Sequence, residues 1–143
     1  MEKSVNELFE RYQKIFQNAL ENKADMEQVA SSYASAFIAA SPAGVRVGQN
    51  DERLKQAMQQ GFEYYRHIGT KDMRLRNVRI VPIDERHCLA HVAWTAIYDQ
   101  GNNPDVSIGF EVHYFVQQLK GTPKIFGWVS GDEQAVLKQH GVI

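Results

Sequence analysis

Hydrophobic positions along the chain change their period once, near residue 70. Before that point they recur at helical spacing. Val5, Leu8, Phe9, Tyr12, Ile15, Phe16, Ala19 and Leu20 make one face of a first helix, which Ser4 and Glu7 open as a capping box. A second helix opens near Asp25 and carries Met26, Val29, Ala30, Tyr33 and Phe37 on one face until "SPAG" stops it. "GVRVG" (44–48) reads as an edge strand or a hairpin arm. Asn50 then caps a third helix, with Asp51 and Glu52 in its first turn and Leu54, Ala57, Met58, Gly61, Phe62 and Tyr65 on its buried face.

After "HIGTKD" the period becomes two, and strands are expected over 73–83, 86–99, 106–119 and 123–130. Pro82 implies an edge, a bulge or a strand end. The tail "GDEQAVLKQHGVI" reads as a short C-terminal helix, capped by Ser130 or Asp132 and stopped at Gly141. Helices first and antiparallel strands after is the α+β pattern, with the helices laid on one face of a curved sheet. No repeat or linker divides the chain, and its 143 residues suit one core, so residues 1–143 are read as a single domain.

The strand "HCLAHVAWTAIY" has two unlike faces, and a hairpin with a three-residue loop centred on Asn102 tests them against a neighbour. That register sets Trp94 opposite Phe110, Val92 opposite Val112, Ala96 opposite Ile108, Ala90 opposite Tyr114 and Tyr98 opposite Val106. This face is continuously apolar and aromatic, so it must meet the helices. Any hollow the helices leave above it would be lined by Trp94, Phe110 and Tyr114, with Tyr33, Phe37 and Tyr65 entering from the helical side. Such a set is either plain core or a partly open ligand pocket. Tyrosine hydroxyls that need partners, small residues such as Ala90 and Ala96 between large ones, and a curved sheet favour the pocket.

The opposite face is mixed. His91 meets His113, Ala93 meets Glu111, Leu89 meets Phe115 and Thr95 meets Gly109. His87 and His91 lie about 13 Å apart along a strand and cannot share an ion, and Glu111 is an imperfect third ligand, so no metal site is expected. Leu89, Ile97 and Phe115 interleave with the polar groups, which suggests that a partner covers this face.

Composition narrows the function classes. A net charge of −1 gives no global field for nucleic acid or an anionic membrane, and "RLRNVR" is flanked by Asp72, Asp84 and Glu85. The N-terminus has no unbroken apolar run, and the one cysteine, Cys88, cannot form an intrachain disulfide, so a cytoplasmic address is expected. No phosphate loop, nucleophile elbow or activated thiol is present, and nothing calls for a cofactor.

The order of elements, with "GVRVG", the run Val92-x-Trp94-x-x-x-Tyr98 and the "KIFGWVSGDEQAVLKQHG" ending, resembles the nuclear-transport-factor-2-like (SnoaL-like) superfamily over nearly the whole chain. The resemblance implies a cone-shaped, strongly bent antiparallel sheet wrapped around the N-terminal helices, an internal cavity, and dimers formed through the sheet. Members include ketosteroid isomerases, polyketide cyclases, dehydratases and noncatalytic binding domains, so the fold does not decide function. The isomerases pair a carboxylate base with a tyrosine and a protonated aspartic acid in an apolar site. Here the inner strand faces carry tyrosines and no Asp or Glu, and only Asp132 and Asp84 lie where they could lean into a cone's mouth.

The reading that results is a homodimer that binds a small apolar or aromatic molecule through Tyr33, Phe37, Tyr65, Trp94, Phe110, Tyr114, Trp128 and Asp132. The alternative is an isomerase, cyclase or dehydratase with one acid–base residue and tyrosine donors, and a filled cone serving as an interaction module is a third possibility. The catalytic residues of such an enzyme are unassigned, with Asp132 a base candidate that also suits a helix cap.

Overall fold

The structure, a computed structural model, describes residues 1–143. Helix α1 (Glu2–Leu20) turns Val5, Leu8, Phe9 and Ala19 inward, as its apolar period dictates. It begins at Glu2, ahead of the expected capping box, and the Ser4 hydroxyl instead lies 2.7 Å from the Gln118 side-chain oxygen. Helix α2 is only Met26–Ser31, capped by the Asp25 carboxylate, which accepts from Glu27 N–H.

The second helix therefore stops far short of "SPAG". Residues Tyr33–Ser41 form strand β1, which pairs antiparallel with β2 (Gly44–Gln49). Tyr33 and Phe37 thus come from a strand rather than a helix. The Asn50 side chain holds this junction by donating to the carbonyls of Ala30 (2.8 Å) and Tyr33 (3.1 Å). Asp51, and not Asn50, caps helix α3 (Glu52–His67) by accepting from Arg53 N–H.

Strands β3 (Thr70–Pro82), β4 (His87–Tyr98), β5 (Val106–Gln118) and β6 (Pro123–Ser130) follow, and α4 (Glu133–Gln139) closes the chain. Pro82 ends its strand, where a missing N–H costs no ladder bond. The sheet has six strands in the order β2-β1-β6-β5-β4-β3, antiparallel except where β1 runs parallel to β6. Register shifts in the β1–β6, β3–β4 and β5–β6 ladders are places where a sheet bends, and this one curves around the helices.

The β4–β5 hairpin has the register expected of a turn centred on Asn102, from Tyr98↔Val106 to His87↔Gln117. Its loop is longer than expected, residues 99–105, but it remains symmetric about Asn102 and so leaves every pair unchanged. Twenty buried residues form the core cluster. Cys88, Ala90, Val92, Trp94, Ala96 and Tyr98 of β4 all belong to it. No helix is long and apolar enough to cross a membrane.

Phe9 is fully enclosed against the sheet, its ring 4.8 Å from that of Tyr114. Phe9→Ala is expected to cost about 3–5 kcal/mol, read as a lower midpoint in urea denaturation with an unchanged slope.

Candidate functional site

The first half of α1 fills the hollow of the sheet with Val5, Leu8 and Phe9, and beyond Phe9 the packing opens. A cavity of about 420 Å³ lies between α1, α3, α4 and the inner faces of the strands. From α1 it is lined by Tyr12 and Phe16, from α3 by Met58 and Tyr65, from β1 by Tyr33, and from β4 by Trp94 and Tyr98. Phe110, Val112 and Tyr114 of β5, Trp128 of β6 and Glu133 of α4 complete most of its wall, and Asp132 stands at the start of α4.

Of the residues expected at a pocket, Tyr33, Tyr65, Trp94, Phe110, Tyr114, Trp128 and Asp132 border this cavity. Phe37 does not. It lies behind Trp128, its ring stacked at 5.2 Å and 24°, where a side chain at Gly48 would collide with it. Ala90 and Ala96, expected to leave room, are closed over in the core. The space comes from where α1 stops filling the sheet.

Among the lining residues that the sequence reading missed are Tyr12, Tyr98 and Glu133. Tyr12 sits on the buried face of α1, and its hydroxyl is 2.7 Å from that of Tyr33, so the two deep tyrosines satisfy each other. The signal was a lone hydroxyl on an otherwise apolar helix face. Tyr98 read as an inner-face residue without a role. Glu133 read only as part of the helical tail.

Asp132 is the N-cap of α4, its carboxylate accepting from Ala135 N–H at 3.0 Å, so the capping role is the one it fills. Asp84 is away from the cavity, in the β3–β4 turn, accepting from Arg86 N–H and His87 Nδ1. Its bond from the Arg86 amide is the first cause that holds the carboxyl below the usual range. Of the acids that border the cavity, Glu133 is the one bonded to a lining tyrosine, its carboxylate accepting from the Tyr65 hydroxyl. As a residue Glu133 stays accessible at the mouth, but its carboxyl tip turns in among the lining groups. Loss of water there lifts its pKa above the ordinary glutamate value, against the lowering effect of the Tyr65 bond.

The tyrosines stay protonated. Burial raises Tyr12 and drives Tyr33, Tyr65 and Tyr114 well above their usual range, and burial with the charge of Glu133 pushes Tyr98 up to about 12. They are therefore neutral hydrogen-bonding groups at any physiological pH.

On the outer face, His91 and His113 approach through Nδ1 at 2.6 Å, which requires that one ring donate and the other accept. Burial first, and then the charge of Arg79, lower the His91 pKa. His87 bonds Asp84 and Gln117, and no group of three His, Cys, Asp or Glu residues comes together that could hold a metal ion. Across all six strands one rung reads Val47, Ile38, Gly127, Phe115, Leu89 and Val81, with Val47 80% and Ile38 51% exposed. Ile97, expected on an interface here, is already buried within the chain.

A protein-family model described as "NTF2-like protein (DUF6841)" matches residues 2–133. An NTF2-like protein with a cystatin-like fold from Novosphingobium aromaticivorans superposes with a TM-score of 0.71 at 9% identity, covering 99% of this chain and 88% of its own. An NTF2-like protein of unknown function from Shewanella oneidensis gives 0.65 at 12% identity, over 91% and 98% of the two chains. A ketosteroid isomerase-like protein from Erwinia carotovora atroseptica gives 0.60 at 12%, over 90% and 93%. At these identities the likeness shows the fold alone. No curated protein matches the sequence.

Glu133 is expected to titrate above the ordinary glutamate value in carbon-detected NMR. Tyr65→Phe should raise it further, because the lost bond favoured the charged form. An acid with a raised folded-state pKa contributes stability that is full below its unfolded pKa and is lost as pH rises through the folded one. Glu133→Gln should remove that slope from the stability profile. A Glu133 titrating at the ordinary value would contradict the geometry.

Proposed function

Since this chain belongs to the NTF2-like protein family (DUF6841), we propose that it works as a paired binding protein. Its cavity holds a small apolar or aromatic molecule, and two copies associate through the outer face of the sheet. The observation that carries this reading is the cavity itself, about 420 Å³ and mostly hydrophobic, with 15 of its 21 lining residues apolar. That volume lies within the range of small-molecule sites, and the few polar groups lie where they can orient a ligand. Binding requires no reaction, and the deep hydroxyls of Tyr12 and Tyr33 are already paired.

Pairing is supported by the outer rung from Val47 to Val81, which spans about 24 Å at the usual strand spacing. Apolar side chains in a row across a sheet face suit a two-fold contact, in which the same patch meets itself.

Glu133 favours a second reading, catalysis. A carboxyl with a raised pKa beside a tyrosine donor at a cavity mouth is the single acid–base residue that an isomerase-, cyclase- or dehydratase-type enzyme requires. The residue sits at the rim, and no second acid faces it from the deep wall of the cavity.

Both of the chain's tryptophans, Trp94 and Trp128, line the cavity, so intrinsic fluorescence reports on its contents. A neutral apolar dye such as N-phenyl-1-naphthylamine should quench that emission, and Val112→Trp, which fills part of the space, should weaken the effect. Equal quenching in the filled variant would refute the cavity reading. Native mass spectrometry after gentle purification separates the two classes: a ligand retained and recovered unchanged supports binding, and an isomerised or dehydrated product supports catalysis.

For the pairing, sedimentation equilibrium should show a dimer that Phe115→Asp converts to a folded monomer, because a charge placed in the rung loses its water on association. A monomeric unmutated chain would refute it.

A further inference from the structure

The cavity's charge is as one-sided as its shape. Its 21 lining residues include five tyrosines, two tryptophans and two phenylalanines, and no lysine, arginine or histidine. The whole chain is nearly balanced, with 16 Lys and Arg against 17 Asp and Glu, so the absence of cations is a local property. Three acids border the space. Glu111 shares the outer face with His91, whose charged form it favours, and the Asp132 carboxylate is taken up by the start of α4. Glu133 remains, bonded by the neutral Tyr65 hydroxyl and in no ion pair with any basic group.

We propose that the ligand of this cavity is an organic cation, an amine or quaternary ammonium carried on a small apolar or aromatic body, with Glu133 as its counter-charge. This rests on the cavity reading above and names its ligand class.

Aromatic faces carry negative potential and attract ammonium groups, most strongly when water is excluded. Tyr12, Tyr33, Trp94 and Tyr114 stand with ring centroids 5.9–6.4 Å apart around Tyr12, and Trp128 lies 5.5 Å from Tyr33, so several rings converge on one space. A cation entering there meets these faces and leaves Glu133 with the partner it lacks. An anionic ligand meets the opposite situation. It would lose water without a single basic side chain to replace it, and it would approach a carboxylate. A neutral ligand gains only the apolar contact. The order expected from the lining is therefore cation, then neutral, then anion.

Three compounds of one shape test this: benzyltrimethylammonium, its neutral isostere neopentylbenzene, and phenylmethanesulfonate. Each is titrated into the intact chain at pH 7 while the fluorescence of Trp94 and Trp128 is followed, with saturation-transfer NMR as a second measure. The ammonium should bind about tenfold more tightly than the neutral isostere, as expected for a desolvated cation–aromatic contact, and the sulfonate most weakly. Glu133→Gln should reduce that advantage while leaving the neutral compound's affinity unchanged, and Glu133→Asp should restore part of it. Far-ultraviolet dichroism shows that each variant is folded. Neutral and cationic compounds binding equally, or the sulfonate binding best, would overturn the ligand class and leave the cavity reading in place. Binding of none of the three, with Val112→Trp indistinguishable from the unmutated chain, would overturn both.

Discussion

The pairing of β4 with β5 is the constraint on which the rest of the molecule depends. Twelve residue pairs run from His87↔Gln117 to Tyr98↔Val106 without a shift, while the ladders to either side slip and bend. A slip of one residue would exchange the two faces of a strand. If β4 slipped, Trp94 would turn to solvent and His91 would be driven into the core. The loop at 99–105 is too long to fix the register by turn geometry alone. The burial of one continuous apolar face constrains it instead, since any slip of β4 by an odd number of residues would turn Cys88, Ala90, Val92, Trp94, Ala96 and Tyr98 outward.

That register gives the sheet two surfaces of different chemistry. Inside, α1 fills the hollow as far as Phe9 and then leaves a space walled by rings whose hydroxyls are largely paired among themselves or with Glu133. Burial keeps the tyrosines neutral, so the only charges at this space are carboxylates. Outside, an apolar rung crosses all six strands beside a histidine pair whose Nδ1 atoms lie 2.6 Å apart. A concave space suits a small molecule and an apolar row suits another protein surface, so the two readings draw on separate residues.

The β1–β2 hairpin joins these surfaces. Trp128 is held in place by Phe37 stacking on it from β1, and Phe37 fits only because Gly48 has no side chain. On the other side of the same strand, Ile38 begins the exposed rung with Val47. One edge hairpin thus braces the cavity wall and supplies the most exposed part of the outer face.

The sequence by itself determined the helices that flank one apolar stripe, the four long strands and the β4–β5 register. In each, a period of 3.6 or 2 sorts apolar from polar residues, and neighbouring segments suffice to read it. It also named most of the aromatic wall, because Trp94, Phe110 and Tyr114 follow from that register. It did not decide residues 33–41. Tyr33 and Phe37 lie four apart, which satisfies a helical face and an alternating strand equally well, and the short run contains no proline to choose between them. Strand structure there comes from pairing with β2 and, in parallel, with β6, about ninety residues away in sequence, a contact no local pattern can express. Asp132 and Glu133 were undecided for a similar reason. Adjacent acids at a helix start are alike in sequence, and only the packing of α4 against α3 sends one carboxylate to the backbone amides and brings the other to Tyr65 at the cavity.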